Sequence, residues 1–209
     1  MTELYLIRHS EPIRDGVEFI NTSDFQQERN EKGILSVRGE EKAKYLSEQD
    51  DFKNIDYVFS SGFSRAMSTA KYIAFNNNKK VLIDDRLGER LFGVKEFSEL
   101  PERFEWKQLE NHNYKMPDGE SFNEVKIRMK NVIEEIVDKY KNTRIVALSH
   151  ATAITCFLLN YVDFDIEKKE MYFKGNKVFD FSWDAPEVFK LTFDNNELID
   201  IKNIKIDYV

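Results

Sequence analysis

The stretch from Leu4 to Pro12, LYLIRHSEP, constrains the fold of this chain more than any other. Its four consecutive apolar residues predict a short strand that is buried on both faces, the pattern of an inner strand in a parallel sheet. Pro12 cannot donate to a strand ladder, so the strand must end before it. Arg8 and His9 are therefore expected at the carboxyl end of a central strand, where open α/β sheets bind their ligands.

Three further runs predict strands that polar residues follow, and the last of the three has the same pattern of burial on both faces. They lie at 55–60, 81–83 and 145–148. The residues that follow them include Arg65, Glu89 and His150. Arg65 lies in the first turn of a predicted helix, where a cation opposes the helix dipole, so its position indicates an anionic ligand. Because the carboxyl ends of parallel strands meet at one edge of a sheet, we expect these side chains to converge with His9.

Apolar residues at helical spacing predict the helices that connect these strands. The predicted helices lie at 36–47, at 63–75, from near Pro101 as the first helical residue, at 121–140 and at 152–159. The tail predicts strands at 178–183, 188–193 and 198–201, with an antiparallel hairpin at the sheet edge. The polar segment 12–34 has no clear period. A loop of that length is usually functional, so we interpret it as the wall or lid of a site.

Gly39 stands inside the first of these predicted helices, for which Ser36 is the expected N-cap. A glycine at such a position costs about 1 kcal/mol relative to alanine. The sequence therefore indicates that another segment packs closely against the helix at Gly39.

The composition narrows the class of protein. The chain has 209 residues, which suits a single α/β domain over 1–209, and its 31 basic and 38 acidic residues give a net charge of −7. This balance disfavours a nucleic-acid partner, so an anionic substrate requires a local cluster of arginines. Cys156 is the one cysteine, which excludes an internal disulfide and a cysteine-based zinc site.

Targeting signals are not evident in the sequence. No apolar run approaches the ~20 residues of a membrane span, which disfavours a membrane partner. The first predicted strand begins within four residues of Met1, which leaves no room for a signal peptide. We therefore expect a cytoplasmic protein.

Two imidazoles, two guanidiniums and one carboxylate suit the chemistry of a phosphoryl group. Arginine grips phosphate oxygens bidentately and keeps its charge. A neutral imidazole can attack phosphorus when its other nitrogen is held by a hydrogen bond, and a second imidazole can donate to the equatorial oxygens. Glu89 is the candidate general acid for the leaving alcohol. Such a site requires no metal and no cofactor.

Six motifs, in the family's order, resemble the histidine phosphatase superfamily, whose founding branch is the cofactor-dependent phosphoglycerate mutases. They are LYLIRHSE at 4–11, LSVRGEEKA at 35–43, FSSGFSRAMSTA at 59–70, LGERLFG at 87–93, PDGES at 117–121 and LSHA at 148–151. One of these motifs alone would be weak, but together they are highly specific. The second motif resembles a helix start that carries a glycine in this family, which accounts for Gly39.

The resemblance implies a three-layer α/β/α sandwich with a mostly parallel central sheet. It also implies that His9 is the phosphohistidine nucleophile, that Arg8, Arg65 and His150 hold the phosphoryl group, and that Glu89 donates a proton. The expected substrate is a small phosphorylated metabolite, and the sequence leaves a homodimer open. We predict that six residues in or beside these motifs bind substrate: Ser10, Glu11, Arg14, Ser61, Arg90 and Ala151.

The sequence also departs from the family pattern. Ser10 and Ala151 stand where glycine is usual, and Asp15 stands where mutases commonly have a phosphate-binding asparagine. The basic insertion that mutases carry before the Gly-Glu-Ser motif is short here, so we favour a metal-independent phosphatase. Two alternatives remain: a phosphoglycerate mutase, which Arg90 directly after Glu89 favours, and a phospho-ligand-binding protein without turnover.

Overall fold

A six-stranded sheet forms the centre of the computed structural model, which describes residues 1–13 and 26–208. The described residues form nine strands: β1 (Thr2–Arg8), β2 (Tyr57–Ser60), β3 (Val81–Ile83), β4 (Arg144–Ser149), β5 (Asp163–Asp165), β6 (Glu170–Phe173), β7 (Asn176–Phe179), β8 (Glu187–Asp194) and β9 (Glu197–Ile204). They also form six α-helices: α1 (Gln26–Lys32), α2 (Val37–Glu48), α3 (Ser64–Asn76), α4 (Phe104–Glu110), α5 (Phe122–Lys139) and α6 (Ala151–Leu158).

The central sheet has the strand order β3-β2-β4-β1-β8-β9. Its first four strands run parallel, whereas β8 is antiparallel to both β1 and β9. The prediction of a mostly parallel sheet with an antiparallel C-terminal edge hairpin is therefore confirmed. Because β1 and β4 are neighbours in the middle of the sheet, with Arg8 opposite Ser149, their carboxyl ends lie side by side.

Helices cover both faces of the sheet and complete the three layers. Side chains alternate along β1, so that Leu4 and Leu6 pack into the core beneath α5 and α6. Tyr5 and Ile7 point to the other face and pack with α2 and α3. All four side chains are completely buried, as the apolar run predicts for an inner strand.

The helix with Gly39 packs directly against the chain that follows β1. Ser36 is the N-cap of α2, and its hydroxyl oxygen accepts a hydrogen bond from the Gly39 amide. A Cβ atom at Gly39 would lie 2.0 Å from the carbonyl oxygen of Glu11, which no relaxed structure tolerates. This close approach is the one that the sequence indicated for Gly39.

Two local predictions are wrong. Helix α4 begins at Phe104 and not near Pro101, because its N-cap Arg103 has a left-handed φ of 58°, which a right-handed helix cannot include. The strand predicted over 178–183 covers only the end of β7, since Phe181 has a φ of 59° and the extended chain stops before it. That strand belongs to a second, three-stranded antiparallel sheet, β5-β6-β7, which the sequence did not predict.

Part of the polar segment 12–34 lies outside the described residues, including Arg14 and Asp15. Its later part forms α1, a helix that the sequence did not predict. In the part of the chain that the structure describes, every helix is too short or too polar to cross a membrane.

Candidate active site

Two buried imidazoles lie side by side at the carboxyl ends of β1 and β4. His9 directly follows β1, and His150 directly follows β4 as the N-cap of α6. The His9 amide donates to the carbonyl oxygen of Ser149 at 3.0 Å, so the main chain links the two strand ends. The ring centroids are 5.1 Å apart, and the two residues are 5% and 0% exposed. The structure therefore brings together two histidines that are far apart in the sequence.

One tautomer of His9 satisfies both of its ring nitrogens. Nδ1 lies 2.7 Å from the carbonyl oxygen of Ser10, and Nε2 accepts a 2.9 Å hydrogen bond from Nε of Arg65. Because a carbonyl oxygen can only accept, the proton sits on Nδ1 and the lone pair on Nε2. The atom with nucleophilic character is therefore Nε2, on the side of the ring that faces Arg65.

His150 is held in the opposite tautomer. Nδ1 lies 3.2 Å from Nη2 of Arg65, and Nε2 lies 2.8 Å from Oγ of Ser61. Because a guanidinium can only donate, Nδ1 carries the lone pair and Nε2–H donates to the serine hydroxyl. The Phe63 ring packs against the imidazole with centroids 4.5 Å apart, which fixes the plane of the ring.

Arg65 joins the two imidazoles from the first turn of α3, where the sequence places it. Its side chain also holds Asn30 of α1, because Nη2 donates to Oδ1 of Asn30 at 3.0 Å and Nη1 donates to the carbonyl oxygen of the same residue. The residue is only 6% exposed. A guanidinium between two imidazole nitrogens is placed to donate to the oxygens of a phosphoryl group that reaches either ring.

Burial keeps both imidazoles neutral. It lowers the pKa of His9 well below the ordinary value for histidine, and the positive charge of Arg65 lowers it further. Burial likewise lowers the pKa of His150, with added repulsion from His9 and Arg65. It also lowers the pKa of Arg65 to about 10, against the opposing charge of Glu89, so the guanidinium stays protonated at neutral pH.

Arg8 adds a second positive charge to the site. Its Nη1 donates to the carbonyl oxygen of Asp184 at 2.9 Å, and its guanidinium lies 5.8 Å from the centroid of the Trp183 ring. Its charge lowers the pKa of both His9 and Arg65, although burial has the larger effect on each. The positive charges of Arg8 and Arg65 therefore both lower the pKa of His9.

The carboxylate of Glu89 lies over the N-terminus of α6. Its Oε1 accepts from the amides of Arg90 at 2.9 Å and Ala153 at 3.0 Å, and its Oε2 accepts from the amide of Thr152 at 3.2 Å. A cavity of about 400 Å³ opens beside it. Its lining includes Gly62, Phe63, Gly88, Leu91 and Arg128. The donor candidate therefore lines an open space beside the aromatic ring that supports His150.

Three residues predicted to bind substrate use their side chains for contacts within the protein. The Ser10 hydroxyl donates to the carbonyl oxygen of Gly39 at 2.7 Å, so this departure from glycine points its side chain away from the imidazoles. Glu11 accepts from the Ser36 hydroxyl at 3.1 Å and from Lys42 at 3.5 Å. These contacts favour a structural role for Ser10 and Glu11.

Arg90 is the third of these residues and is completely buried. Its Nη1 donates to Oε1 of Gln108 at 2.6 Å, and its Nη2 donates to Oε1 of Glu105 at 3.0 Å. Three aromatic rings surround its guanidinium, those of Phe92, Phe104 and Phe122. These contacts anchor Arg90 to α4 and favour a structural role over substrate binding.

The remaining predicted residues lie nearer the imidazoles or outside the described chain. Ser61 contacts His150, as given above, and Ala151 follows His150 as the first residue of α6. The prediction for Arg14 lies outside the described residues.

Two residues that contact the site were not predicted as site residues. Thr69 accepts the Ser10 amide at 2.9 Å and donates to the carbonyl oxygen of Arg65 at 2.8 Å, which ties α3 to the end of β1. Its place four residues after Arg65, on the same helix face, was the available signal. The sequence contained no such signal for Asn30, apart from its position in the polar segment 12–34 that we interpreted as the wall or lid of a site.

The two buried histidines predict a loss of stability in mildly acidic solution. In the unfolded chain each histidine titrates near pH 6.5, whereas the folded chain keeps both neutral to lower pH. Below about pH 6.5 the unfolded state therefore binds more protons, and the free energy of unfolding falls by up to about 1.4 kcal/mol per pH unit for each histidine. Urea denaturation of the wild type and His150→Gln at pH 7.5, 6.5 and 5.5 measures this slope.

We expect a shallower pH slope in His150→Gln than in the wild type. His112→Gln is the matched control, because His112 is only half-buried and its pKa is lowered less by burial. Equal slopes for the wild type and His150→Gln would contradict the prediction.

A neutral imidazole whose Nε2 lone pair faces a guanidinium, a second imidazole, a second guanidinium and a carboxylate are the groups that phosphoryl transfer needs. Within residues 1–13 and 26–208, no three His, Cys, Asp or Glu side chains are grouped so as to hold a metal ion. The chain belongs to the histidine phosphatase superfamily (branch 1), whose family model matches residues 4–178.

Comparison with known proteins finds both phosphatases and mutases. The chain is 28% identical to phosphoserine phosphatase 1 of Hydrogenobacter thermophilus over 80% of each chain. It is also 28% identical to a probable phosphoglycerate mutase of Yersinia enterocolitica, over 76% of this chain and 74% of the relative. The relatives are thus enzymes of phosphoryl transfer or carry names of such enzymes.

Solved structures with the same fold include a mutant phosphoserine phosphatase of Entamoeba histolytica in complex with phosphoserine, with a TM-score of 0.67 and 21% identity over 97% of each chain. A mycobacterial glucosyl-3-phosphoglycerate phosphatase has a TM-score of 0.69 and 16% identity over 96% of each chain. The predicted phosphoglycerate mutase-like fold is confirmed.

Proposed function

We propose that this chain is a metal-independent phosphatase that hydrolyses a small phosphomonoester through a phosphohistidine on His9. The tautomer of His9 carries the proposal, because Nδ1–H is held by the Ser10 carbonyl oxygen while Nε2 keeps its lone pair. A nucleophilic imidazole requires this arrangement. Burial beside Arg65 supports it further, since both lower the pKa of His9 and keep the ring neutral.

The first half-reaction forms a bond between phosphorus and Nε2 of His9 and breaks the bond to the ester oxygen. The positive charge on the phosphorylated ring is held at Nδ1–H by a carbonyl oxygen. Arg65 and Arg8 donate to the equatorial oxygens as their charge is redistributed, and His150 joins them when its Nε2–H passes from the Ser61 hydroxyl to a phosphoryl oxygen. Glu89 gives a proton to the leaving alkoxide.

The second half-reaction returns the enzyme to its starting state. The Glu89 carboxylate takes a proton from water as the water oxygen attacks phosphorus. The bond between phosphorus and Nε2 of His9 breaks, its electron pair returns to the ring, and inorganic phosphate leaves. The relatives named for phosphoserine and phosphoglycerate support a small phosphorylated acid as the substrate class.

A phosphoglycerate mutase is the second candidate, since one of the relatives has that name. In a mutase the phosphoryl group passes from His9 to a hydroxyl of the substrate and not to water. The contacts of Arg90 with Gln108 and Glu105 weaken the sequence argument for this activity, because they engage the arginine that favoured it.

Phosphate release in the presence of EDTA tests the proposal. We expect the purified protein to release inorganic phosphate from p-nitrophenyl phosphate and from phosphoserine at rates that EDTA leaves unchanged. Protein denatured in alkali during turnover should carry a base-stable, acid-labile phosphoryl group. Loss of activity with EDTA and recovery with added metal would contradict the proposal.

The same assays separate the alternatives. Faster isomerisation of 3-phosphoglycerate than hydrolysis, stimulated by 2,3-bisphosphoglycerate, would assign the chain as a mutase. Binding of phosphomonoesters without release of phosphate would assign it as a binding protein. The cytoplasmic location and the homodimer stay predictions.

A further inference from the structure

An ion pair between Arg128 of α5 and Glu120, which precedes that helix, holds the loop that carries Glu89. We call residues 86–91 the acid loop. Nε and Nη2 of Arg128 donate to the two carboxylate oxygens of Glu120, each at 2.8 Å, which is a bidentate pair. Nη1 of the same guanidinium donates to the carbonyl oxygens of Arg86 at 2.6 Å and Gly88 at 3.1 Å. Arg128 therefore holds the acid loop immediately before Glu89.

Glu120 holds the acid loop on the other side of Glu89. Its Oε2 accepts the Leu91 amide at 2.9 Å, and its own amide donates to the Leu91 carbonyl oxygen at 2.8 Å. The carboxylate thus links the guanidinium of Arg128 to the residue two positions after Glu89. Both partners are mostly buried, with side chains 20% and 23% exposed, so water screens the pair less than an ordinary surface ion pair.

The carboxylate of Glu89 accepts hydrogen bonds from the amides of α6. Its distance from a bound substrate also depends on the backbone position of the acid loop. A proton donor must come within about 2.6–3.2 Å of the leaving oxygen. A misplacement of about 1 Å can cost about 100-fold in rate. The peptide groups on both sides of Glu89 therefore need fixed partners.

We propose that Arg128 and Glu120 form a positioning pair that sets the place of Glu89 for proton transfer to the leaving group. This proposal rests on the proposed role of Glu89 as the proton donor. The pair touches neither His9 nor Arg65 through any hydrogen bond described above. Its loss should therefore affect departure of the alcohol more than attack by the nucleophile.

A series of substituted phenyl phosphates separates these two effects. Nitrophenolate leaves readily without a proton, whereas unsubstituted phenolate depends on the donor, and the ring that binds is nearly the same. The value of kcat/KM reports all steps up to formation of the phosphoenzyme. For Arg128→Met we expect a fall of about 30- to 100-fold with phenyl phosphate and of less than about threefold with p-nitrophenyl phosphate.

Conservative variants and a matched control define the role. Arg128→Lys keeps the charge but cannot hold Glu120 and the acid loop together, so it should give an intermediate fall with phenyl phosphate. Glu120→Gln should show the same dependence on the leaving group, and it provides a second measurement if Arg128→Met fails to fold. Lys130→Met removes an exposed ion pair from the same helix and should leave both substrates unaffected.

Glu89→Gln makes the outcomes distinguishable. It should steepen the dependence on the leaving group more than any variant of the pair. If Glu89→Gln does so while Arg128→Met and Glu120→Gln lower all substrates equally or not at all, the positioning role is overturned and the proposed function stands. If Glu89→Gln leaves the dependence unchanged, the assignment of Glu89 as donor falls, and the positioning role with it.

Discussion

Replacement of His9 by alanine is expected to lower kcat for phosphomonoester hydrolysis by about 10⁴-fold or more, because removal of a covalent nucleophile abolishes the route that the other groups serve. Arg65 loses the acceptor of its Nε–H in this variant but keeps Asn30 and His150 as partners. The positive charge of the site therefore remains. We expect the variant to bind p-nitrophenyl phosphate while it fails to turn the substrate over.

Initial rates and calorimetric titration of the same preparation measure both parts of this prediction. His112→Ala is the matched control, since it removes the remaining histidine, which is half-buried beside Phe122. Its activity should match that of the wild type. A His9→Ala protein that retains a tenth or more of the wild-type rate would exclude the phosphohistidine route.

Replacement of Gly39 by alanine is expected to destabilise the protein by about 3 kcal/mol, which is the reverse of the usual effect in a helix. The added Cβ would lie 2.0 Å from the carbonyl oxygen of Glu11 and 3.0 Å from its carbonyl carbon. Neither contact can relax by rotation of a side chain, because both atoms belong to the main chain. At about 2–4 °C per kcal/mol for a chain of this size, Tm should fall by about 6–12 °C.

This displacement also reaches the imidazole pair, since Glu11 lies two residues after His9. We therefore expect kcat of Gly39→Ala to fall together with its Tm in thermal denaturation and rate measurements. Gly175→Ala is the matched control, because a Cβ there meets no atom within 4 Å and only its φ of 81° opposes the substitution. A neutral or stabilising effect of Gly39→Ala would show that the close approach is not rigid.

The sequence predicted the imidazole pair because both histidines follow apolar runs that are unambiguous. The run before His9 and the run before His150 each consist of side chains that are completely buried on both faces of the sheet. Such runs fix an inner strand, and the polar residue after them must then lie at the carboxyl edge. Arg65 followed from the same logic, because it lies in the first turn of α3, the helix that follows β2.

Elements whose conformation depends on tertiary contacts could not be predicted from the sequence. The start of α4 depends on the left-handed backbone of Arg103, a residue type without a preference for that conformation. The strands β5 and β6 have only three and four residues, too few for their alternation to distinguish them from a loop. In each case the local sequence is compatible with several conformations, and packing selects one.

The direction of a side chain was equally hard to predict. Arg90 follows Glu89 in the acid loop, and a charged residue in such a position is ordinarily exposed or bound to ligand. Its burial depends on rings from separate segments, including Phe104 of α4 and Phe122 of α5. A motif identifies the residue, but it does not show whether the side chain is buried in the protein or faces a ligand.

The link from the His9 amide to the carbonyl oxygen of Ser149 makes the distance between the two imidazole rings a property of the sheet itself. Adjacent strands lie about 4.8 Å apart wherever they pair, and the ring centroids are separated by a similar 5.1 Å. Loops around the site can lengthen, shorten or change composition over evolution without altering that interval. A change in those loops can therefore alter which ester the proposed site accepts while the spacing of the two imidazoles stays the same.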